Sequence, residues 1–324
     1  MNVLGRTGLP VSRLGLGLAA LGRPGYINLG HADDLHRDYR VEAMEERAAA
    51  VLDAAHAAGI RYLDAARSYG RAEAFLAAWL GRRGHPPGSI TVGSKWGYTY
   101  TAGWRVEAEH HEVKDHSRAV FERQLGESRA LLGSHLQLYQ IHSATLDSGV
   151  LDDPEILSVL AAARDEGLAI GLTLSGPRQA ETLHKALAIR IDGAPLFGAV
   201  QATWNLLERS AGDALQAAHD AGVGVIIKEG LANGRLTDRN PELSPAVGRA
   251  ATRAGTTVDA LALAAVLARP WVDVVLSGAA TVEQLKSNAA ALSIAWDPSF
   301  DRDLQSIVEP PDRYWSTRAM LNWN

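Results

Sequence analysis

The chain has 324 residues, 47% of them hydrophobic, a formal charge of −5 and no cysteine. That length suits one large barrel, and the absence of cysteine excludes disulfides, thiolate metal sites and thiol nucleophiles. The mildly acidic, mixed-sign composition predicts no nucleic-acid or acidic-membrane partner; with no leader after Met1 and no apolar run near the roughly 18 residues of a membrane helix, a soluble cytoplasmic protein is expected.

Residues 2 to 13 alternate apolar and polar around Arg6-Thr7-Gly8, the pattern of a hairpin placed to plug one end of a barrel. Leu14 to Leu18 opens the barrel wall. Its Gly15-Leu16-Gly17 run imitates the glycine fingerprint of a doubly wound dinucleotide domain, but that turn must open a helix. A polar stretch through Arg40 follows instead, so these glycines serve strand packing. From Val41 onward helices and apolar strands alternate. Helices are predicted near 42–57, 72–81, 118–132, 154–166, 177–188, 212–221, 257–268 and 282–292. Strands fall between them near 60–63, 90–94, 135–141, 168–174, 199–201, 223–227 and 272–276. Eight strands, each followed by a mostly helical connection and with no linker, predict an α/β single (β/α)₈ TIM barrel. The N-terminal hairpin closes its bottom, and one domain spans 1–324.

Four strand ends carry chemistry. Ile60 to Leu63 delivers Asp64, with Tyr69 in the loop beyond; Ile90 to Ser94 runs into Lys95, and His135 to Ile141 into His142. Singly, Asp64 reads as a helix cap and Tyr69 as packing. Parallel neighbouring strands bring all four to the C-terminal end of one barrel, where active sites of this fold lie. A tyrosine hydroxyl titrates near pH ~10, and a cation such as Lys95 lowers that value by stabilising the phenolate. Asp64 is placed to hold the ammonium, and His142 to orient the same substrate oxygen. The set suits protonation of a carbonyl oxygen while hydride reaches its carbon.

With these residues in order, the chain resembles the aldo-keto reductase superfamily from Gly5-Arg6-Thr7-Gly8-Leu9-Pro10-Val11-Ser12 to Asn288. The resemblance implies a catalytic tetrad at Asp64, Tyr69, Lys95 and His142, and a nicotinamide cofactor. Ser175, Gly176 and Gln201 fall where family members grip the nicotinamide amide, and the run Ile227 to Leu231, with Lys228 and Leu231, lies where they meet its ring. Ser277, Gly278, Gln284 and Asn288 fall on the segment that receives the adenosine end at a helix N-terminus.

Three departures stand out. Gly176 lacks the usual amide. Lys228 replaces a common aromatic, leaving Lys228 and Glu229 either reaching the pyrophosphate or merely solvated. Ala279-Ala280-Thr281 lacks the arginine that many members use for a 2′-phosphate, with Lys286 as a substitute one turn on. NADP(H) is favoured from the family alone, with NAD(H) the other option.

The segment from Trp96 to Asp115 is too long for a simple connection and should arch over the barrel mouth. Its Tyr98, Tyr100 and Trp104 are candidate substrate walls, joined by the stretch from Tyr26 to Arg40 and the tail Pro310 to Trp315. The nearby His110, His111, Glu112 and His116 lack metal-ligand spacing, so no metal is expected. Trp323 reads as surface packing of a terminus. The function expected is reduction of a small-molecule aldehyde or ketone to an alcohol, or the reverse, without a protein partner. The alternative is a cofactor-sensing module with little turnover, as the resemblance to channel β subunits of the superfamily implies.

Overall fold

The computed structural model describes all residues, 1–324. Eight parallel strands close into a barrel: β1 Leu14–Gly17, β2 Tyr62–Asp64, β3 Thr91–Trp96, β4 Leu136–Ala144, β5 Ala169–Leu174, β6 Ala199–Thr203, β7 Gly224–Lys228 and β8 Val274–Ser277. Pairing runs in sequence order, and β8 returns to β1 through Val275 opposite Leu14. Helices cover the outside, so the strands are buried on both faces and read as apolar runs rather than as alternation.

The sequence-predicted helices form with local punctuation. Ser117 caps Arg118–Leu132 by accepting from the Val120 amide, and Asp153 caps Pro154–Asp165, whose first residue needs no donor. Elements beyond those expected include the helix Pro245–Ala254 before Val258–Leu267, the C-terminal helix Pro311–Ala319, the short helices His31–Asp34 and Ser299–Asp303, and two short hairpins. One hairpin, Tyr98–Tyr100 with Glu112–Lys114, organises the long segment after β3. No single helix is long and apolar enough to cross a membrane.

At the bottom, Asn2–Val3 pairs with Pro10–Val11 as the plug the sequence predicted. Leu4 and Val11 are fully buried against Tyr62, Leu138, Ile226 and Val274 inside the barrel. The Arg6 amide donates to the Gly222 carbonyl at 2.7 Å, locking the plug to the entry of β7. A Cβ on Gly224 would lie 2.6 Å from Leu4, so glycine there is what lets the plug seat. Filling this layer leaves the opposite end of the same strands for polar groups.

Candidate active site

At the C-terminal end, β2, β3 and β4 lie side by side, with Asp64 opposite Gly93 and Lys95 opposite Gln140. Asp64 and Lys95, each 1% exposed, form a direct ion pair, and the ammonium also donates to the Ala65 carbonyl at 2.9 Å. Two buried charges are tolerable only when paired and otherwise satisfied. Here the carboxylate also accepts from Tyr62 Oη at 3.0 Å, Gln201 Nε2 at 2.9 Å and Gln140 Nε2 at 3.3 Å.

Tyr69 stands in the loop after β2, with Lys95 Nζ 4.7 Å from its ring centroid. That loop is fixed through the Arg71 amide on the Gly22 carbonyl at 2.7 Å. Gly70 has φ +59°, and a Cβ there would collide with Gly22. Beneath it, Arg67 bridges Glu127 and buried Glu73, and Glu73 also accepts from Ser94 and Ser128. The expected lowering of the phenol's pKa is not what the free site holds. Burial raises it, the Asp64 carboxylate raises it further, and Arg23 opposes them. The physical reason is first the burial of the hydroxyl and then the Asp64 carboxylate near it.

His142 reaches inward because β4 is irregular at this point. Its register against β5 shifts between Ile141 and Ala144, Ser143 takes φ +53°, and the Ser143 amide donates to Thr173 Oγ1 at 2.7 Å. The ring meets Tyr69 edge-on at 5.5 Å and Tyr98 at 4.9 Å, and Nδ1 lies 3.4 Å from Ser68 Oγ. Burial, and then the charges of Lys95, Arg23 and Lys228, push its pKa well below the ordinary imidazole value. A neutral ring with Ser68 donating to Nδ1 carries its proton on Nε2, available as a donor.

These groups open into a cavity of about 520 Å³ lined by Asp64, Tyr69 and His142. Of the residues expected to hold a cofactor, Gln201, Lys228, Leu231, Ser277, Gly278, Gln284 and Asn288 line it, whereas Ser175 and Gly176 do not. Of the expected substrate walls, Tyr98 backs onto His142. Tyr100 buries an unpartnered hydroxyl away from the cavity, and Trp104 packs on Phe75 while donating to the Tyr39 carbonyl at 2.6 Å.

Lys228 and Glu229 are not a solvated pair. Glu229 accepts from Arg318 at 2.6 and 2.8 Å, and Lys228 donates to Thr203 Oγ1 at 2.9 Å. Burial brings Lys228 down to about 8 despite Glu229; burial opposes the charge of Glu229, but Arg318 and Lys228 outweigh it and hold the carboxyl at about 2.

Several lining residues carried no sequence signal. Arg23, 3% exposed, pairs with Glu112 and lies over the rings of Tyr69 and Trp323. Trp323, expected as surface packing, lines the cavity and stacks on His111 at 3.9 Å. It is brought there because Tyr26 and Asn324 exchange backbone hydrogen bonds of 3.2 and 3.1 Å, folding the C-terminus over the mouth. The His110 to His116 group disperses accordingly: Glu112 goes to Arg23, and His116 Nε2 to the His142 carbonyl.

The cavity's inventory fits a nicotinamide dinucleotide. Asn233 and Asn288, 4% and 2% exposed, line it with side-chain oxygens that have no partner. Buried acceptors of this kind call for donor groups on a ligand.

Fold and site together define a (β/α)₈ barrel enzyme with an acid-base cluster and a long ligand cleft at its strand ends. Residues 13–309 match the Aldo/keto reductase family. The chain is 26% identical over 336 residues, 95% of each sequence, to an uncharacterized oxidoreductase, YrpG, of Bacillus subtilis. Among solved structures it resembles PA4992 of Pseudomonas aeruginosa, provisionally assigned as an aldo-keto reductase. The TM-score is 0.65 at 25% identity, over 90% of this chain and 94% of the other. It also resembles the holo form of the aldo-keto reductase AKR11C1 of Bacillus halodurans, with TM-score 0.70 and 22% identity over 95% and 96%. This chain belongs to the aldo/keto reductase family and is an oxidoreductase.

Proposed function

We propose that the protein interconverts a small-molecule aldehyde or ketone and its alcohol, with Tyr69 donating the proton to oxygen. A reduced nicotinamide, when bound, supplies the hydride that no side chain can. Gln201, Lys228, Ser277, Gln284 and Asn288 would hold it along the cavity. Tyr69 and His142 Nε2 both hydrogen-bond the carbonyl oxygen, fixing the carbon for attack. As charge grows on that oxygen, Tyr69 releases its proton to it. The phenolate left behind is stabilised by Lys95 and Arg23 and regains a proton from solvent; the reverse sequence oxidises an alcohol.

With its pKa raised, Tyr69 is protonated but a weaker acid in the free site, so the transfer waits for negative charge to grow on the carbonyl oxygen. The observation that carries the reading is that Asp64, Tyr69 and His142 line one cavity, with Lys95 paired to Asp64 and with unpartnered acceptors also lining the cavity. The test is consumption of reduced nicotinamide by wild-type protein over a panel of aldehydes and ketones. Turnover is expected. Tight cofactor binding with no turnover on any carbonyl would contradict it and favour a sensing module.

A further inference from the structure

The cavity is unequal in charge along its length, and this bears on which dinucleotide it takes. Its tetrad end is lined by three cations, Arg23, Lys228 and Arg318, set against Asp64, Glu112 and Glu229. A dinucleotide with its nicotinamide beside Tyr69 and His142 places its adenosine at the opposite end, among Thr237, Asp238, Asp259, Glu283 and Asn288.

That far end has one lining cation, Arg239, and it is already engaged. Both terminal nitrogens of its guanidinium bind the carboxylate of Asp34, which is 7% exposed and also accepts from Gln284 Nε2 at 2.9 Å. The carboxylates of Asp238, Asp259 and Glu283 line the same end, and none of them has a salt-bridge partner among Arg239, Lys286 or any other cation. Lys286, the residue whose position suggested a substitute for a phosphate-binding arginine, is exposed and lies outside the lining.

Some backbone donors there are already engaged. At the start of the helix Val282–Ala289, the Gln284 amide is capped by Thr281 Oγ1 at 3.2 Å, and the Ala280 amide by Gln284 Oε1 at 2.8 Å. The Ala279 amide donates to Ser277 Oγ at 3.3 Å. The remaining buried feature is an acceptor: Asn288 uses its Nδ2 on Ser277 Oγ at 2.9 Å and leaves Oδ1 unpartnered.

We infer that this chain takes NAD(H) in preference to NADP(H), an inference that rests on the nicotinamide reading of the cavity. A ribose 2′-hydroxyl is a donor, matched to carboxylates and to an unpartnered amide oxygen. A 2′-phosphate brings further negative charge and only acceptors, to an end where three carboxylates without a salt bridge face one cation, Arg239, already held by Asp34. Discrimination of this sort comes from the charged groups that the wrong ligand leaves unpaired as well as from the hydrogen bonds that the right one makes. Glu283 and Asp259 are the specificity-determining residues.

The test is calorimetric titration of the intact protein with NADH and with NADPH, and with ADP-ribose and its 2′-phosphate to remove any contribution from the tetrad end. Each diphosphate lacking the 2′-phosphate is expected to bind at least about tenfold more tightly than its phosphorylated counterpart, about 1.4 kcal/mol. In the double variant Glu283→Gln, Asp259→Asn, affinity for NADPH rises and affinity for NADH falls, so the ratio moves toward one. Equal or tighter binding of NADPH by wild type would overturn this inference while leaving the nicotinamide reading intact. A ratio unmoved by the double variant would overturn the assignment to Glu283 and Asp259. Failure of all four ligands to bind would remove the nicotinamide reading itself.

Discussion

At the bottom of the barrel, Leu4 and Val11 press into a layer of Tyr62, Leu138, Ile226 and Val274. At the top, the C-terminal ends of the strands carry Asp64, Lys95, His142 and Lys228. The bottom layer is apolar and filled; the top holds an ion pair, a neutral histidine and a lysine whose charge is costly. Only Leu63 stands between Tyr62 and Asp64 in the chain, yet the two belong to these different environments, because the strand climbs from one to the other. Tyr62 joins the layers: its ring packs below, and its hydroxyl donates upward to Asp64 at 3.0 Å. Stability and chemistry are thus divided along the strands rather than between domains or loops.

The sharpest way to break this division is to remove a charge from the top. Lys95→Met leaves the Asp64 carboxylate buried without its cation, which is expected to cost about 3–5 kcal/mol of stability. Turnover should fall by about 10³-fold or more, as phenolate stabilisation is lost. Adding Asp64→Asn should restore much of the stability, measured by urea unfolding, without restoring turnover. At the bottom, Leu4→Ala is expected to cost about 2–5 kcal/mol through the cavity it leaves, with turnover per folded molecule unchanged.

Acid tests the top again. Burial holds the pKa values of His31 and His116 at about 4, against 6.5 for an ordinary imidazole. As pH falls below 6.5 the unfolded chain takes up protons that the folded chain refuses, so stability drops between pH 6.5 and about 4 and then levels for these groups. His31, whose two ring nitrogens are buried without partners, is the cleaner probe: His31→Leu should shallow that slope in chemical unfolding. The smallest effect expected is at alkaline pH. Lys228 titrates at about 8 in the fold and near 10.5 when free, so between those values the unfolded chain holds more protons and stability gains with rising pH. Lys228→Met should lack that gain.

Much of the barrel was legible because each strand and helix announces itself locally. The helix Arg118–Leu132 has its expected bounds, and Asp64, Lys95 and His142 sit at strand ends because an apolar run stops at each. What was not legible depends on distant partners. Lys228 and Glu229 read equally well as solvated until Thr203 and Arg318, the latter 89 residues from Glu229, are seen to hold them. Trp323 enters the cavity only because Asn324 pairs with Tyr26 across nearly the whole chain. Trp104 looked like a substrate wall because it is aromatic and in the right segment; its indole N–H is instead spent on Tyr39. The pKa of Tyr69 turned on how deeply its hydroxyl is buried, and then on the Asp64 carboxylate, and spacing along the chain does not reveal the depth of burial.

The measurement that tests the chemistry of the barrel's top most directly is reduced-nicotinamide consumption with a reactive aromatic aldehyde, for wild type beside Tyr69→Phe, each with a cofactor titration. The variant is expected to bind cofactor as wild type does and to lose turnover by about 10²–10⁴-fold. Full turnover in the variant would contradict Tyr69 as the proton donor.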